Sequence, residues 1–344
     1  MNVKLTRGLA AAAISAAMMF GTAVPALAED AAKTLPNANG YYLTKTYNGV
    51  SDGTVSETLK FTVTNYKVTD AKDGVTAKNM PTVSIADVSA TSGQDNKVKL
   101  TLPTYTSAGY YYYKVTENTG TTAGVSYNTD TYYLKVTVTY NEQTKAAQVD
   151  SVSLWDADPT LATTKKDHKV TGFANTYKSG TLEVKKVIAG NFAQDDDEFT
   201  INVTFTSKKP VGSVVSYKVG TETKTIATDA WTKSDDGTYT ASADITVKGG
   251  STVDFSNVPD GVEYAVNEIN SGDGYKASYD NSKTGTLNAN DTKGDKDATT
   301  TVTNTKNSAV DTGVILNNAP YIVILGGVAV AAIYFVSRRR NNED

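Results

Sequence analysis

The stretch FANTYKSGTLEVKKVIAG, residues 173–190, decides the organisation of this chain of 344 residues. A strand-like segment ends near Asn175, a Ser179-Gly180 break follows, and a new alternating segment begins at Leu182. Breaks of this kind separate compact units when strand patterns recur on both sides. We therefore interpret residues 173–190 as the joint between two domains.

Apolar and polar residues alternate with the period of a β-strand on both sides of this joint, and Gly- and Asp-containing turns separate the segments. These segments are 41–47, 58–67, 82–88, 97–102, 110–117, 131–140, 148–155, 170–176, 182–188, 199–205, 214–219, 239–247, 253–255, 262–269, 275–279 and 299–305. Many short strands without convincing amphipathic helices predict an all-β protein with two tandem β-sandwich domains, residues 41–178 and 181–306.

The composition excludes several classes of function. The chain has no cysteine, which rules out disulfides, thiolate nucleophiles and cysteine-based metal sites. One histidine, His168, leaves little room for histidine chemistry, and we predict neither a metal site nor a cofactor. The formal charge is −4 and no basic cluster lies in the middle of the chain, so nucleic-acid binding is not expected.

The amino-terminal residues have the three parts of a secretory signal peptide. Positive residues come first, an apolar run follows, and Ala-Leu-Ala at 26–28 forms a cleavage site. We predict a signal peptide at residues 1–28 and a flexible leader at residues 29–40, so the protein is expected to be exported.

The carboxy-terminal residues predict a membrane anchor. Residues 314–336 form an apolar membrane segment, and residues 337–344 form a basic tail that remains cytoplasmic by the positive-inside rule. Together with the motif Ala-Val-Asp-Thr-Gly at 309–313, this arrangement resembles the sortase cell-wall sorting signal of Gram-positive bacteria, whose usual pentapeptide is LPxTG. Asp311 stands where that signal has proline. The resemblance implies cleavage between Thr312 and Gly313.

Each half of the chain begins with a lysine in a similar setting. Lys45 and Lys186 each follow an apolar residue by two positions and precede a glycine by four. Because side chains alternate along a strand, each lysine is predicted to point into its sandwich. Lys185 occupies the alternate position on the strand, so its side chain is predicted to face water.

A glutamate and an asparagine also recur. The pattern Tyr-x-Val-x-Glu ends at Glu117 in the first half and at Glu268 in the second. The last strand of each half carries an Asn-Thr pair, at Asn175 and Asn304. By the same alternation, all four side chains are predicted to point inward.

Buried lysine, glutamate and asparagine side chains can react with one another. Burial lowers the pKa of a lysine and raises that of a glutamate, so that both become neutral. The neutral amine is a nucleophile, and the glutamic acid polarises the amide and shuttles protons while ammonia leaves. The product is an isopeptide bond that forms once per domain, so the chain is not expected to be an enzyme. A single inward lysine or glutamate more often reaches water at a strand end, but the repeated order favours the reaction.

Taken together, these features resemble Gram-positive backbone pilins of the streptococcal T-antigen type, built from tandem immunoglobulin-like, CnaB-type domains. The resemblance covers the mature chain and both terminal signals. It implies two isopeptide bonds, Lys45–Asn175 and Lys186–Asn304, each assisted by the glutamate of its own domain.

The same resemblance implies covalent polymerisation. A pilin-type sortase would cleave after Thr312 and join it to a lysine of the next identical subunit. In this chain the candidate acceptors are Lys166, then Lys165, then Lys169, although a solvated basic loop explains the run equally well. The implied partners also include cell-wall peptidoglycan, minor tip and base pilins and host receptors.

Two other functions are compatible with parts of this pattern. A monomeric, wall-anchored adhesin would have the same domains without polymerisation. A secreted glycan hydrolase would use paired carboxylates, but no compelling pair is present. The predicted function is therefore the major shaft subunit of a pilus on the cell surface, supporting adhesion and colonisation.

Overall fold

The computed structural model of the chain describes residues 35, 40–49, 51, 53–72, 74–161, 163–164, 166–280, 283–289 and 296–307. The predicted signal peptide, sorting motif, membrane segment and basic tail lie outside these residues, as does most of the predicted leader. Among the described residues, no helix has the length and apolar character needed to cross a membrane.

The first half of the chain folds into strands joined by turns and a short 3-10 helix, Lys166–His168. The strands are β1 (Tyr41–Asn48), β2 (Ser56–Leu59), β3 (Phe61–Thr69), β4 (Ser84–Ile85), β5 (Val88–Thr91), β6 (Asn96–Thr101), β7 (Gly109–Glu117), β8 (Val125–Ser126), β9 (Tyr132–Asn141), β10 (Ala146–Trp155), β11 (Lys169–Val170) and β12 (Gly172–Tyr177).

The second half has the same character, with one short 3-10 helix at Thr228–Ala230. Its strands are β13 (Ser179–Ala189), β14 (Glu198–Ser207), β15 (Val215–Val219), β16 (Glu222–Ile226), β17 (Thr232–Lys233), β18 (Tyr239–Lys248), β19 (Thr252–Pro259), β20 (Glu263–Asn270), β21 (Lys276–Asp280), β22 (Thr284–Thr286) and β23 (Ala298–Thr305). The prediction of an all-β fold is confirmed for the part of the chain that the structure describes.

Each half forms two facing sheets with an apolar core between them. In the first half, sheet β4-β6-β1-β12-β8 faces sheet β11-β10-β9-β7-β3, and β2 pairs separately with β5. In the second half, sheet β16-β15-β19-β13-β23-β21 faces sheet β17-β18-β14-β20-β22. We call these two sandwiches domain 1 and domain 2.

The alternating sequence produces this layering directly. Along β18, Ala241, Ala243, Ile245 and Val247 are buried while the residues between them are exposed. Since side chains on a strand point alternately to opposite faces, such a strand buries one face against the opposite sheet and leaves the other in water. The inward lysines, glutamates and asparagines lie on the buried faces of their strands.

The first and last strands of each domain lie side by side and run parallel. Among the described strands, β1–β12 and β13–β23 are the parallel pairs, and the other neighbours are antiparallel. Lys45 lies opposite Phe173 and Lys186 lies opposite Val302. In both domains the asparagine therefore lies two residues beyond the lysine's partner in the parallel register, on the same face of the sheet.

The predicted break at Ser179-Gly180 is wrong. Both residues belong to β13 and pair with the end of β19, so Lys178 alone separates β12 from β13. The pairing of β13 with β19 is irregular between Gly180 and Leu182. The side chain of Asp297 also packs closely against Gly180, where a Cβ would lie 2.2 Å from its carboxylate. Glycine within a strand often marks such a close approach, so its presence alone does not indicate that the strand ends.

The two domains also touch beside their connection. Asn257, in the left-handed backbone region at φ +61°, accepts a hydrogen bond from the hydroxyl of Tyr177 at 3.0 Å. Its amide nitrogen donates to the backbone oxygens of Thr54 and Val214, both at 3.0 Å. Asn257 is 5% exposed, so a buried polar side chain of domain 2 is satisfied partly by domain 1.

Candidate functional site

Domain 1 brings a lysine, a glutamate and an asparagine together in its core. Lys45 on β1 and Asn175 on β12 come from one sheet, and Glu117 on β7 comes from the facing sheet. The amine of Lys45 lies 2.8 Å from Oε2 of Glu117, and the amide nitrogen of Asn175 donates to Oε1 of Glu117 at 2.6 Å. Lys45, Glu117 and Asn175 are 0%, 4% and 1% exposed. The carboxyl group thus bridges the amine and the amide.

The amide oxygen in this cluster is held by a loop. The backbone N–H of Asn128, which follows β8, donates to Oδ1 of Asn175 at 2.9 Å. Backbone donors aimed at a carbonyl oxygen stabilise the negative charge that develops there when the carbon is attacked. Asn128 is a candidate site residue that the sequence does not reveal, because a backbone donor in a loop leaves no signal in residue type or spacing.

Domain 2 builds a second cluster from corresponding strands. Lys186 on β13 lies 3.0 Å from Oε1 of Glu268 on β20, and its amine donates to Oδ1 of Asn304 on β23 at 2.5 Å. The amide nitrogen of Asn304 donates to the backbone oxygen of Ser271 at 3.0 Å. Lys186 and Asn304 are 1% and 0% exposed, and the side chain of Glu268 is fully buried.

The two clusters differ in how the amide oxygen is held. In domain 1 a backbone N–H holds the oxygen of Asn175, whereas in domain 2 the amine of Lys186 itself donates to the oxygen of Asn304. In both domains the lysine and asparagine lie on adjacent parallel strands and the glutamate lies on the facing sheet. The structure therefore brings together all six residues predicted to form the two reactive sets.

Aromatic rings line the lysine side of both clusters. The amine of Lys186 lies 4.1 Å from the centre of the Phe199 ring, and that of Lys45 lies 5.3 Å from the centre of the Tyr47 ring. Burial lowers the pKa of both lysines below the usual value of 10.5, although contact with Glu117 or Glu268 acts in the opposite direction. A lowered pKa increases the neutral, nucleophilic fraction of the amine at neutral pH.

The lowered pKa of Lys186 predicts that the stability of a variant without the Asn304 amide depends on pH. Asn304→Ala retains Lys186, whose pKa is below 10.5 in the folded protein, so the unfolded chain binds more protons in the interval up to 10.5. The free energy of unfolding should therefore rise as the pH approaches 10.5 from below. Urea unfolding at a series of pH values measures this slope.

The matched control for that slope is Asn304→Ala combined with Lys186→Met, which keeps an unbranched side chain without the amine. The control should lose the part of the slope that belongs to Lys186. Equal slopes in the two variants would contradict a lowered lysine pKa.

Lys185 shows that neighbouring lysines occupy different environments. Its side chain is 46% exposed and pairs with Glu183 at 2.7 Å on the outer face of β13. The alternation of side chains along the strand predicts this orientation.

The three candidate acceptor lysines lie in different surroundings. Lys165 lies outside the described residues, and Lys166 begins the 3-10 helix Lys166–His168. Lys169 is 3% exposed, and its amine lies 5.3 Å from the ring centre of Trp155, its neighbour across β10–β11. A buried amine is poorly accessible to a bulky enzyme-bound acyl group, which agrees with the last place of Lys169 among the three candidates. Thr312 and Gly313 lie outside the described residues.

Comparisons with solved structures return streptococcal pilins. The crystal structure of the major pilin from Streptococcus pyogenes matches with a TM-score of 0.49 and 24% identity, covering 78% of this chain and 100% of the other. The major pilin T3.2 from Streptococcus pyogenes serotype GAS13637 matches with a TM-score of 0.45 and 20% identity, covering 77% of this chain and 96% of the other.

The sequence matches two domain families and a curated pilin. Residues 41–178 match the FctA family, described as a Spy0128-like isopeptide containing domain, and residues 180–306 match a domain of unknown function, DUF7601. A curated relative, a pilin of Streptococcus pyogenes serotype M1, is 33% identical in an alignment 256 residues long that covers 69% of this chain and 69% of the relative. Because this identity extends over more than two thirds of both chains, the protein belongs to the pilin family, a family of structural proteins.

Proposed function

We propose that this pilin is the major shaft subunit of a sortase-polymerised, cell-wall-anchored pilus of a Gram-positive bacterium. We further propose that its two domains are immunoglobulin-like, CnaB-type domains, each stabilised by a self-formed Lys–Asn isopeptide bond. The observation that carries the proposal is the repetition of a buried Lys–Glu–Asn cluster at the same register in both domains.

In domain 1 the reaction follows from the contacts of the three side chains. The neutral amine of Lys45 attacks Cγ of Asn175, and the N–H of Asn128 stabilises the charge on Oδ1. The carboxyl group of Glu117 takes a proton from the attacking nitrogen and gives a proton to the amide nitrogen, which it already contacts at 2.6 Å. The bond between Cγ and the amide nitrogen then breaks, ammonia leaves, and Glu117 returns to its original state.

Domain 2 carries the same steps with Lys186, Glu268 and Asn304. Here the amine lies 2.5 Å from the amide oxygen and 3.0 Å from the carboxyl group, so one small movement of the amine toward Cγ begins the attack. Each reaction consumes its own asparagine. The process is therefore a single maturation step and not enzymatic turnover.

Polymerisation would use the two ends of the subunit. A pilin-type sortase would cleave between Thr312 and Gly313 and transfer Thr312 to a lysine of an identical subunit. Lys166 is our first choice and Lys165 our second, with Lys169 last because its amine is buried. The finished fibre would be linked to peptidoglycan, with minor pilins at its tip and base, and would support adhesion to host surfaces.

The ladder of products in wall extracts tests this function. Cells that express the chain with its sortase should yield high-mass species that survive boiling in SDS, because the links between subunits are covalent. Replacing Thr312 by Ala should remove the ladder, and Lys166→Ala should shorten or remove it. A change at the exposed Lys78 to Ala serves as the control and should leave it intact. A wall-linked monomer without a ladder would instead support the monomeric adhesin.

A further inference from the structure

A carboxylate outside the Lys–Glu–Asn cluster joins several segments of domain 1. Glu57 on β2 accepts a hydrogen bond from the hydroxyl of Tyr47 at 2.7 Å through Oε1. Its Oε2 accepts from the hydroxyl of Thr122 at 2.7 Å and from the hydroxyl of Tyr127. The N–H of Thr122 also donates to the hydroxyl of Tyr127 at 2.9 Å, which closes a small half-buried network.

Both tyrosines of this network lie next to reacting groups. Tyr47 follows Lys45 by two residues on β1 and is the register partner of Asn175 on β12. Tyr127 immediately precedes Asn128, whose N–H donates to the amide oxygen of Asn175. Glu57 thus connects the strand that carries the nucleophile to the loop that holds the oxygen of the group under attack.

One short segment of domain 2, residues 210–213, holds domain 1 beside two members of this network, Glu57 and Thr122. The N–H of Ser56, adjacent to Glu57, donates to the backbone oxygen of Gly212 at 2.9 Å. The N–H of Ala123, adjacent to Thr122, donates to the backbone oxygen of Pro210 at 2.9 Å. An isolated bridge between Val55 and Ser213 adds to this contact.

We propose that Glu57 is a positioning residue for the isopeptide bond of domain 1, and that through Glu57 this bond depends on the docking of domain 2. The inference rests on the proposed isopeptide chemistry and goes beyond it. Glu57 does not touch the reacting atoms. It fixes the separation between β1 and the Asn128 loop through Tyr47 and Tyr127. Domain 2 in turn holds Ser56 beside Glu57 and Ala123 beside Thr122.

The bond of domain 2 should be independent of this network. The oxygen of Asn304 is held by the amine of Lys186 within the cluster, whereas the oxygen of Asn175 depends on the Asn128 loop. Disturbing the Glu57 network should therefore slow one bond and spare the other. A general defect in folding would slow both.

Site-resolved rates of bond formation test the proposal. Glu29–Thr312 is produced by cell-free synthesis, samples are quenched in acid at intervals, and the two cross-linked peptide pairs are counted by mass spectrometry after digestion. Near-UV circular dichroism of the purified, unquenched variants reports folding separately from bond formation. For Glu57→Ala we expect the domain 1 bond to form about tenfold more slowly or worse, since donors to the amide oxygen contribute factors of this size or larger. The domain 2 bond should form at the wild-type rate.

Three further variants make the test specific. Glu57→Gln retains one acceptor oxygen and should fall between the wild type and Glu57→Ala. Asp158→Ala is the matched control, because Asp158 accepts from the hydroxyl of Tyr66 at 2.6 Å elsewhere in domain 1, and it should change neither rate. Gly212→Ala places a Cβ 2.5 Å from the backbone oxygen of Ser56, so it should disturb docking and slow only the domain 1 bond.

The outcomes separate this inference from the proposed function. A wild-type chain that forms neither bond would defeat the isopeptide chemistry and this inference with it. A wild-type chain that forms both bonds, together with an unchanged domain 1 rate in Glu57→Ala, would overturn only the role of Glu57. Equal slowing of both bonds would also overturn it, because the network would then act on folding in general. A normal domain 1 rate in Gly212→Ala would remove the dependence on docking.

Discussion

Recombinant Glu29–Thr312 is expected to weigh about 34 Da less than its sequence requires, because each of two isopeptide bonds releases one ammonia of about 17 Da. Glu268→Ala should lose the bond of domain 2 and restore about half of the deficit, and Glu117→Ala should restore the other half through domain 1. Intact-mass spectrometry of the three proteins measures this directly. The effect is all-or-none for each domain, so it identifies the glutamate that serves each bond.

The loss of a bond should also appear as a large loss of stability. A link between Lys186 and Asn304 joins residues 118 positions apart, and a cross-link over a loop of that size stabilises a fold by about 5 kcal/mol through the unfolded chain. For a domain of this length, that corresponds to a fall of roughly 20 °C in the melting temperature. Differential scanning calorimetry of Glu268→Ala should show domain 2 melting earlier by about this amount.

The control for both measurements is Glu142→Ala, which removes a carboxylate whose side chain is 75% exposed and which lies far along the chain from both clusters. It should keep the full mass deficit and the wild-type melting temperature. A wild-type mass equal to the sequence mass would refute the isopeptide bonds. A full deficit in Glu268→Ala would show that this glutamate is not needed.

Pulling the subunit between residues 166 and 312 is expected not to unravel domain 2. Through the proposed bond, tension would enter β13 from its start, cross from Lys186 to Asn304 and leave along the end of β23. Residues 187–303 would then be bypassed. Without the bond, these residues would add roughly 400 Å of extended chain. Because the sequence contains no cysteine, Lys166→Cys and Thr312→Cys give unique attachment points for single-molecule force spectroscopy.

The variants at the two glutamates provide the comparison for this experiment. Adding Glu268→Ala should produce the long extension step, since β13 and β23 are then held only by hydrogen bonds and packing. Adding Glu117→Ala should not, because its bond lies in domain 1. A full-domain step with the Glu268 side chain intact would show that the bond does not carry the tension.

The strand pattern and the inward residues could be predicted because both depend on local alternation. The alternation of side chains alone predicts that Lys45 and Lys186 lie in the core, and they are 0% and 1% exposed. The rule works here because the strands are regular and each buries one face. The same rule correctly places Lys185 on the outer face.

Glu57 could not be found in this way. The sequence pattern predicts one strand over residues 58–67, whereas the structure divides this region into β2 (Ser56–Leu59) and β3 (Phe61–Thr69), which belong to different sheets. Most side chains of β2 are polar and its partner, β5, lies about thirty residues away, so no local periodicity marks it. The partners of Glu57 are defined only by tertiary contacts, as is the loop donor Asn128.

The connection at Lys178 has a consequence for how a filament of such subunits would bend. Its N–H donates to the backbone oxygen of Gly124 in domain 1, and its oxygen accepts from the N–H of Asp260 in domain 2, both at 3.0 Å. The residue between the domains is therefore hydrogen-bonded to both of them and cannot act as a flexible hinge. If these subunits are joined end to end, flexural compliance should be concentrated at the junctions between subunits, and each subunit should behave as one stiff segment about two domains long.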